Sequence, residues 1–225
     1  MEPRSPFTDP AVIAGYTENT PRKVPGYADL HRMALLLLTE HVPPQADIIV
    51  LGAGGGLELR AFTQARPRWR FTGVDPSREM LDLARRVLAP LPPQVDLIEG
   101  HIDDAPAGPF DGATCLLTLH FLPRPERLRT LRELRRRLKP GAPMIVAHHT
   151  CPQAGQARQW LARSVAFAGD LPTGSQQVAA SATAMAEHLP LLSPEQEEAV
   201  LREAGFSDIA LFYAGLTFRG WIALA

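Results

Sequence analysis

The chain has 225 residues, 45% of them apolar, and its 23 basic and 24 acidic side chains leave a formal net charge of -1. This size predicts one α/β-sized domain, and the charge gives no general attraction to nucleic acid or acidic membrane. The longest apolar run, 33–38, is far below the roughly 20 residues that cross a bilayer. Cys115 and Cys151 form no metal-binding spacing, and the N-terminus lacks a secretory signal, so we expect a cytoplasmic protein without membrane span or metal site.

Strands and helices alternate along the first two thirds of the chain. Residues 1–24 form a polar, proline-bearing N-terminal segment, and apolar residues at helical spacing then predict a helix over 27–42. Helices are also expected after a glycine turn, after Ser77 as N-cap, and over 125–141. This alternation predicts a parallel, doubly wound sheet that binds ligands at the carboxyl ends of its strands. The predicted strands are 47–51, 70–74, 95–100, 112–119 and 142–149.

Residues 150–190 depart from this pattern. They are rich in Gln, Ala and Ser, with two amphipathic segments around 154–168 and 174–188, and we interpret them as a helical lid inserted at the carboxyl edge of the sheet. Such an insert either contacts substrate or serves packing alone. Its large apolar side chains, candidates for an acceptor pocket or for the lid's own core, are Trp160, Phe167 and Met185.

The end of the chain predicts a hairpin. Ser193 and Gln196 stand in capping-box register and open a last helix. The strand-like runs 207–213 and 216–225 follow with only a few residues between them, which is too short for a crossover helix. The sheet is therefore expected to end with one antiparallel strand.

The glycine turn, GAGGG at 52–56, lies between a predicted strand and a predicted helix. A Walker phosphate loop is excluded because Leu and Glu follow the glycines instead of Lys and Ser or Thr. A dinucleotide fingerprint needs a third glycine where Leu57 stands, so NAD is disfavoured but stays open. Asp75 ends the next strand, 23 positions after Gly52, where a carboxylate can accept hydrogen bonds from both ribose hydroxyls of an adenosine ligand. S-adenosylmethionine, which has no phosphates, fits this pair of features.

Several further motifs stand in order along the chain: GVDPSREML, EGHIDDAP, FDGATCLLTLHFLP, LRRRLKPGAPMIV and the terminal GF…GW hairpin. Together with the glycine turn, they make residues 20–225 resemble the class I S-adenosylmethionine-dependent methyltransferases. The resemblance implies a Rossmann-like, mostly parallel sheet of seven strands with one antiparallel strand, here with the helical lid. It also implies that residues 1–225 form one methyltransferase domain that uses S-adenosyl-L-methionine.

One branch of that family is more similar. The segments RKVPGYADLH and LTLHFLPRPERLRTLRELRRRLKPG resemble the carboxy-S-adenosylmethionine synthases of tRNA wobble-uridine modification. This resemblance implies that Arg22 and Tyr27 lie over the cofactor and that Leu116 occupies the position of a strand-four asparagine. The cofactor-binding residues expected in all, with Met80 and Asp103 included for their location, are Arg22, Tyr27, Gly52, Ala53, Gly54, Asp75, Pro76, Met80, His101, Ile102, Asp103 and Leu116.

Two departures separate the chain from its relatives. Family members usually have an acid two residues before the first glycine, whereas this chain has Val50, so backbone carbonyls are expected to bind the cofactor's amino group instead. The carboxylated-cofactor branch also uses an arginine just before the last helix, and HLPLLSPEQ, residues 188–196, contains none. Without a cation to pair with the extra carboxylate, ordinary S-adenosylmethionine is expected.

The catalytic group is not specified by any motif. Methyl transfer from a sulfonium depends mainly on orientation, with a base needed only where the acceptor must lose a proton. The candidate bases are His120 and His149, each of which could equally be a packed core histidine, and His148 is expected on the opposite strand face. A zinc site built from these histidines and Cys151 is disfavoured because adjacent ligands would alternate between faces.

These features support a methyltransferase acting on a small acceptor oxygen or nitrogen enclosed by the lid. The alternatives are a catalytically silent S-adenosylmethionine-binding sensor or partner subunit, a carboxy-S-adenosylmethionine synthase-like enzyme of tRNA modification, and, as the weakest, a nicotinamide-dependent oxidoreductase. Nucleic acid and membrane are not expected partners, and a homodimer is left open. The basic run is interpreted as the solvated face of an amphipathic helix; it comprises Arg124, Arg127, Arg129, Arg132, Arg135, Arg136, Arg137 and Lys139.

Overall fold

The computed structural model describes residues 10–153 and 155–225. Within these ranges, strands and helices alternate as expected from the sequence. The strands are β1 Asp47–Leu51, β2 Arg70–Asp75, β3 Val95–Glu99, β4 Gly112–Leu116, β5 Pro143–His149, β6 Ser207–Gly215 and β7 Phe218–Leu224. The helices are α1 Pro10–Ala14, α2 Tyr16–Lys23, α3 Tyr27–Thr39, α4 Leu57–Ala65, α5 Arg78–Leu88, α6 Arg124–Arg136, α7 Ala157–Gly169, α8 Gln176–His188 and α9 Pro194–Glu203.

The seven strands form one sheet in the order β3-β2-β1-β4-β5-β7-β6. Strands β1 to β5 are mutually parallel, and β7 runs antiparallel to both of its neighbours, β5 and β6. The chain order reverses between β1 and β4, which places a crevice at the carboxyl ends of these two strands. The predicted fold class is confirmed, including the single antiparallel strand.

Side chains from alternate positions of each strand enter two cores on opposite faces of the sheet. In β1, Ile49 packs on the face that holds Leu131 of α6 and Val200 of α9. Its neighbour Ile48 points to the other face, where Leu30 of α3 and Phe62 of α4 complete the second core. Because both faces are covered there, β1 is a nearly continuous apolar run, as buried parallel strands usually are.

Boundaries of several elements differ from the sequence-based prediction; the helix predicted over 125–141, for example, ends at Arg136. The predicted strand 112–119 ends at Leu116, because Leu117 has a φ of 58° and turns the chain out of the sheet. The last strand begins only at Phe218, since Leu216, with a φ of 53°, belongs to the hairpin turn. The helix predicted to end at residue 42 already ends at Thr39.

The N-terminal segment is the clearest structural correction, because no helix was predicted before residue 27. Helices α1 and α2 lie there, and α2 contacts α3 and the lid helix α7. The local sequence does not predict α2, because the segment has little apolar periodicity and Pro21 lies inside the helix. Tertiary contacts therefore stabilise this helix. Residues 1–9 of this segment, and residue 154 of the predicted lid, lie outside the described residues.

Two helices lie within the predicted lid insert. Helix α7 packs against α8, and α7 also contacts α2.

In the part of the chain that the structure describes, no helix combines the length and the apolar character that a membrane span requires. The assignment of all 225 residues to one domain stays a prediction.

Candidate functional site

The glycines of the turn leave no room for side chains at their own positions. Gly52 has a φ of 81°, and a Cβ atom on it would collide with the side chain of Thr118 after β4. A Cβ on Gly54 would lie 2.7 Å from Oδ2 of Asp75 and 2.9 Å from Cβ of Met80. Glycine is required here because the ends of β2, β4 and α5 converge on the backbone of the turn.

Asp75 connects β2 to the glycine turn. Its Oδ2 accepts a hydrogen bond of 2.9 Å from the Gly54 N–H, and its Oδ1 accepts one of 2.9 Å from the Ser77 N–H. Burial raises the pKa of Asp75, although the two backbone donors and nearby His101 act in the opposite direction. Each oxygen has a further lone pair, so the carboxylate can still accept hydrogen bonds from a ligand.

A cavity lies beside this turn, between β1, β4 and the N-terminal helices. Its enclosed space is about 20 Å³, which is enough for one or two water molecules. The side chain of Tyr16 on α2 lies directly over Gly55, where a Cβ atom would collide with its ring. The residues that line the cavity are Tyr16, Tyr27, His31, Gly52, Ala53, Gly54, Leu57, Glu58, Leu116 and Leu117.

The structure brings most of the predicted cofactor residues together. Tyr27, Gly52, Ala53, Gly54 and Leu116 line the cavity, and Asp75 and Met80 adjoin Gly54. His101 is close enough to Asp75 to lower its pKa.

The remaining predicted residues lie farther from the cavity or face away from it. Ile102 is buried in the sheet's core, and Pro76 is exposed. Arg22 is exposed near the end of α2 and does not line the cavity. Asp103 forms an ion pair of 2.7 Å with Arg129 of α6. The role of each in cofactor binding stays a prediction.

Five cavity-lining residues were not predicted from the sequence: Tyr16, His31, Leu57, Glu58 and Leu117. Glu58 had a detectable signal, because it lies four positions before the buried Phe62 and therefore on the apolar face of α4. Tyr16 had none, since it belongs to a helix that the sequence pattern does not predict.

Histidines cluster at the carboxyl ends of β4 and β5. The rings of His120 and His149 meet edge to face with centroids 4.9 Å apart. Nδ1 of His149 lies 2.7 Å from Oγ1 of Thr217, which in turn lies 2.8 Å from Oγ of Ser164 on the lid helix α7. Burial lowers the pKa of His120 well below its ordinary value and that of His149 to about 3, so both rings are neutral near pH 7.

His148 approaches α9, although its ring also lies 6.5 Å from that of His120. Its Nε2 lies 3.0 Å from Oε1 of Glu197 on α9. Glu197 also pairs with the guanidinium of Arg127, which donates hydrogen bonds to the carbonyl oxygens of Leu122 and Pro190. In the described ranges, no group of three His, Cys, Asp or Glu side chains is arranged to hold a metal ion.

Most side chains of the basic run form ion pairs with neighbouring acids. Arg124 pairs with Glu203, and Arg136 with Glu133. Two members contradict the prediction of a uniformly solvated face: Arg127 is fully buried against Glu197, and Arg137 is buried against Glu133. Arg127 is buried because its guanidinium meets Glu197 of α9 and the carbonyl oxygen of Pro190 in the stretch before α9.

The predicted lid side chains occupy different environments. Trp160 stacks under the guanidinium of Arg163, 4.3 Å from the ring centroid. Phe167 is 52% exposed, and Met185 is half-buried. None of the three lines the glycine-turn cavity, so an acceptor-binding role for them stays a prediction.

Comparison with known proteins agrees with this site. The methyltransferase domain family matches residues 48–141, which span the glycine turn, Asp75 and the end of α6. A carboxy-S-adenosyl-L-methionine synthase from Chromohalobacter salexigens is 28% identical over 223 residues, covering 96% of this chain and 82% of that protein. A second protein of that name, from Dichelobacter nodosus, is 22% identical over 218 residues, covering 96% of this chain and 91% of its own length.

Solved structures share the fold. The CurJ carbon methyltransferase superposes with a TM-score of 0.68 at 17% identity, covering 98% of this chain and 59% of that one. An O-methyltransferase family protein from Burkholderia thailandensis gives a TM-score of 0.61 at 16% identity, covering 95% of this chain and 57% of that one. This chain thus spans less than two thirds of either neighbour.

The fold and the glycine-turn site define a Rossmann-like methyltransferase. The domain match over residues 48–141 and the similarity to the synthases support a class I S-adenosylmethionine-dependent methyltransferase, with S-adenosyl-L-methionine as its cofactor. The residues present fit that compound, since Asp75 offers a carboxylate to ribose hydroxyls and the glycines of the turn admit close approach.

Proposed function

We propose that this enzyme transfers the methyl group of S-adenosylmethionine to the oxygen or nitrogen of a small molecule enclosed beneath α7 and α8. The observation that carries this proposal is the contact between Asp75 and the Gly54 N–H, which joins a ribose-binding carboxylate to the glycine turn at the crevice of the sheet. The sulfonium supplies an activated methyl group when the cofactor is bound, and the protein orients the acceptor toward it.

Binding requires the cavity to open. A cofactor of this size needs several hundred Å³, whereas the enclosed space is about 20 Å³. Tyr16 and Tyr27 lie over the turn from α2 and α3, and we infer that these two side chains move outward when the cofactor enters. They then close over it and exclude water.

His149 is our candidate base where the acceptor must lose a proton. Its ring is neutral near pH 7 and its Nδ1 contacts Thr217, but burial lowers its pKa to about 3, so it acts as a base only where the bound ligands stabilise the imidazolium. His120 is the second candidate, and its buried Nδ1 has no hydrogen-bond partner among the described residues. Transfer to an acceptor that is already deprotonated would need neither group.

A carboxy-S-adenosylmethionine synthase-like activity is the second candidate, because the relatives reported above carry that name. Against it, residues 188–193 contain no arginine to pair with an added carboxylate. Arg127 does reach this stretch, at the carbonyl oxygen of Pro190, but its guanidinium is committed to Glu197. A silent sensor or partner subunit is a third reading. The homodimer and the cytoplasmic location stay predictions.

Calorimetric titration with S-adenosylmethionine, S-adenosylhomocysteine and NADH tests the proposal. We expect micromolar binding of both sulfur compounds, no binding of NADH, and at least about tenfold weaker binding in Asp75→Ala, which loses charge-assisted hydrogen bonds. Asp82→Ala removes an exposed carboxylate from α5 and is the matched control. If neither sulfur compound binds the wild-type protein, the methyltransferase proposal is wrong.

Mass spectrometry of the ligand that co-purifies with the protein separates the enzymatic candidates. S-adenosylmethionine or S-adenosylhomocysteine supports methyl transfer, whereas a carboxylated S-adenosylmethionine supports the second candidate. Methylation of a member of a panel of small hydroxyl and amine compounds would exclude the silent sensor. Binding without turnover across that panel would favour it.

A further inference from the structure

Glu58 is a buried carboxyl group at the edge of the glycine-turn cavity. It lies in the first turn of α4, is 9% exposed, and lines the cavity together with Gly52 and Leu116. Its Oε1 accepts a hydrogen bond of 2.5 Å from Oγ1 of Thr114 in β4. Because the side chain is both buried and adjacent to the cavity, its charge is poorly screened by solvent.

Thr114 shows where the carboxyl group of Glu58 lies relative to β1. Thr114 pairs in register with Val50 of β1, two residues before the first glycine. Val50 is where the sequence analysis finds the family's usual acid missing and expects backbone carbonyls in its place. Glu58 instead brings a carboxyl group to the same pair of strands from the following helix.

No cation among the described residues balances Glu58. Its neighbours from the surrounding elements are Tyr16 of α2, Tyr27 and His31 of α3, and Cys115 of β4. Burial raises the pKa of Tyr16 to about 12, also raises those of Tyr27 and Cys115, and lowers that of His31 to about 4. All four are therefore neutral near pH 7.

The same burial raises the pKa of Glu58 to about 7, although the Thr114 hydroxyl opposes the change. On its own helix, Arg60 is exposed and acts to lower the pKa of Tyr27, but in the described ranges no cation acts on the pKa of Glu58. A cation brought by a ligand would supply the missing countercharge. The α-ammonium and sulfonium groups of S-adenosylmethionine are such cations.

We propose that Glu58 binds the cationic methionyl portion of S-adenosylmethionine and makes the cavity selective for cationic ligands. This inference rests on the proposed function and assigns a binding residue to it from α4. A carboxylated cofactor brings an additional negative charge, which Glu58 would repel. Ionised Glu58 would therefore favour the ordinary cofactor over the carboxylated one.

Ionisation on binding provides a readout that does not depend on activity. A carboxyl group with a pKa near 7 is about half protonated at that pH, so a cationic ligand that ionises it releases about half a proton. Calorimetry in buffers of different ionisation enthalpy measures this number. We expect close to one proton released near pH 6. Near pH 8.5 we expect close to none if Glu58 contacts the sulfonium, and proton uptake if it contacts the α-ammonium, because the free ligand's amino group is then mostly neutral.

Glu58→Gln tests the charge while keeping the size of the side chain and an acceptor for Thr114. We expect S-adenosylmethionine to bind roughly ten- to a hundredfold more weakly, and the proton release near pH 6 to disappear. Glu40→Gln, an exposed substitution at the end of α3, is the matched control and leaves both quantities unchanged. Thermal unfolding verifies that both variants are folded.

Comparison of the two sulfur ligands identifies the group that Glu58 contacts. An equal loss of affinity for S-adenosylmethionine and S-adenosylhomocysteine indicates the ammonium, which both contain, whereas a larger loss for the former indicates the sulfonium. If Glu58→Gln binds S-adenosylmethionine as tightly as the wild type and releases the same number of protons, this inference is wrong. Failure of the wild type to bind either compound would refute the proposed function instead.

Discussion

Glu58 and Glu197 are both buried carboxyl groups, and the structure treats them in opposite ways. Glu197 on α9 pairs with Arg127 and approaches His148, so its pKa is lowered even though burial alone would raise it. Glu58 on α4 has no cation beside it in the described ranges, and burial raises its pKa to about 7. The first group belongs to a packed interface between helices, and the second borders a cavity.

This difference separates a buried carboxylate that stabilises the fold from one that is available to a cationic ligand. A buried ion pair that the chain completes by itself ties α6 to α9 and the stretch before α9. A buried carboxyl group left without a counterion costs stability unless a ligand supplies the missing charge. The predictions below use that contrast.

The largest effect is expected from breaking the completed pair. Arg127→Ala leaves Glu197 buried without its guanidinium, and we expect a loss of about 3–5 kcal/mol in the free energy of unfolding, measured with urea near pH 7. Arg124→Ala breaks the exposed pair with Glu203 on the same helix and should cost no more than about 1 kcal/mol. Equal losses in the two variants would contradict the distinction.

Glu58→Gln is expected to act in the opposite direction and to depend on pH. The pKa of Glu58 rises from 4.5 to about 7 on folding, so the wild type loses stability as the pH rises through this window. The loss amounts to as much as about 3 kcal/mol, and the glutamine variant does not undergo it. The free energy of unfolding of the variant, measured with urea, should therefore increase relative to that of the wild type between pH 4 and pH 8.

The histidines do not obscure this comparison. The lowered pKa values of His31 and His149 make stability rise with pH below about 6.5, but they do so equally in both proteins. A wild-type and variant difference that is the same at pH 4 and pH 8 would show that Glu58 is not buried as described.

A smaller effect is expected in the histidine cluster. Thr217→Val removes the hydroxyl group that contacts His149 and Ser164, and we expect a cost of about 1–2 kcal/mol in unfolding free energy. Thr173→Val, at an exposed position, should be nearly neutral. Calorimetry should give an unchanged affinity for S-adenosylmethionine, because the cluster does not line the glycine-turn cavity. A large loss of affinity would show that the histidine cluster and the glycine-turn cavity form one binding site.

Much of the fold could be predicted from short stretches of the sequence. The β-branched run of β1, the glycine turn and Asp75 specified a strand, a turn and a second strand end, and the capping box at Ser193 and Gln196 forms as predicted. The hairpin at the end of the chain followed from the short connection before Phe218. These features depend on neighbours in sequence, so a single chain is enough to predict them.

Tertiary structure alone decided the remaining features. The burial of Arg127, the position of Tyr16 over the turn and the placement of Glu58 against Thr114 each depend on an element distant in sequence. A charged residue in a helix has the same local pattern whether water or another helix covers it. The sequence by itself therefore determined where the cofactor's ribose is expected, and only the packing of α2, α3 and α4 around the cavity decided which buried charge lacks a partner.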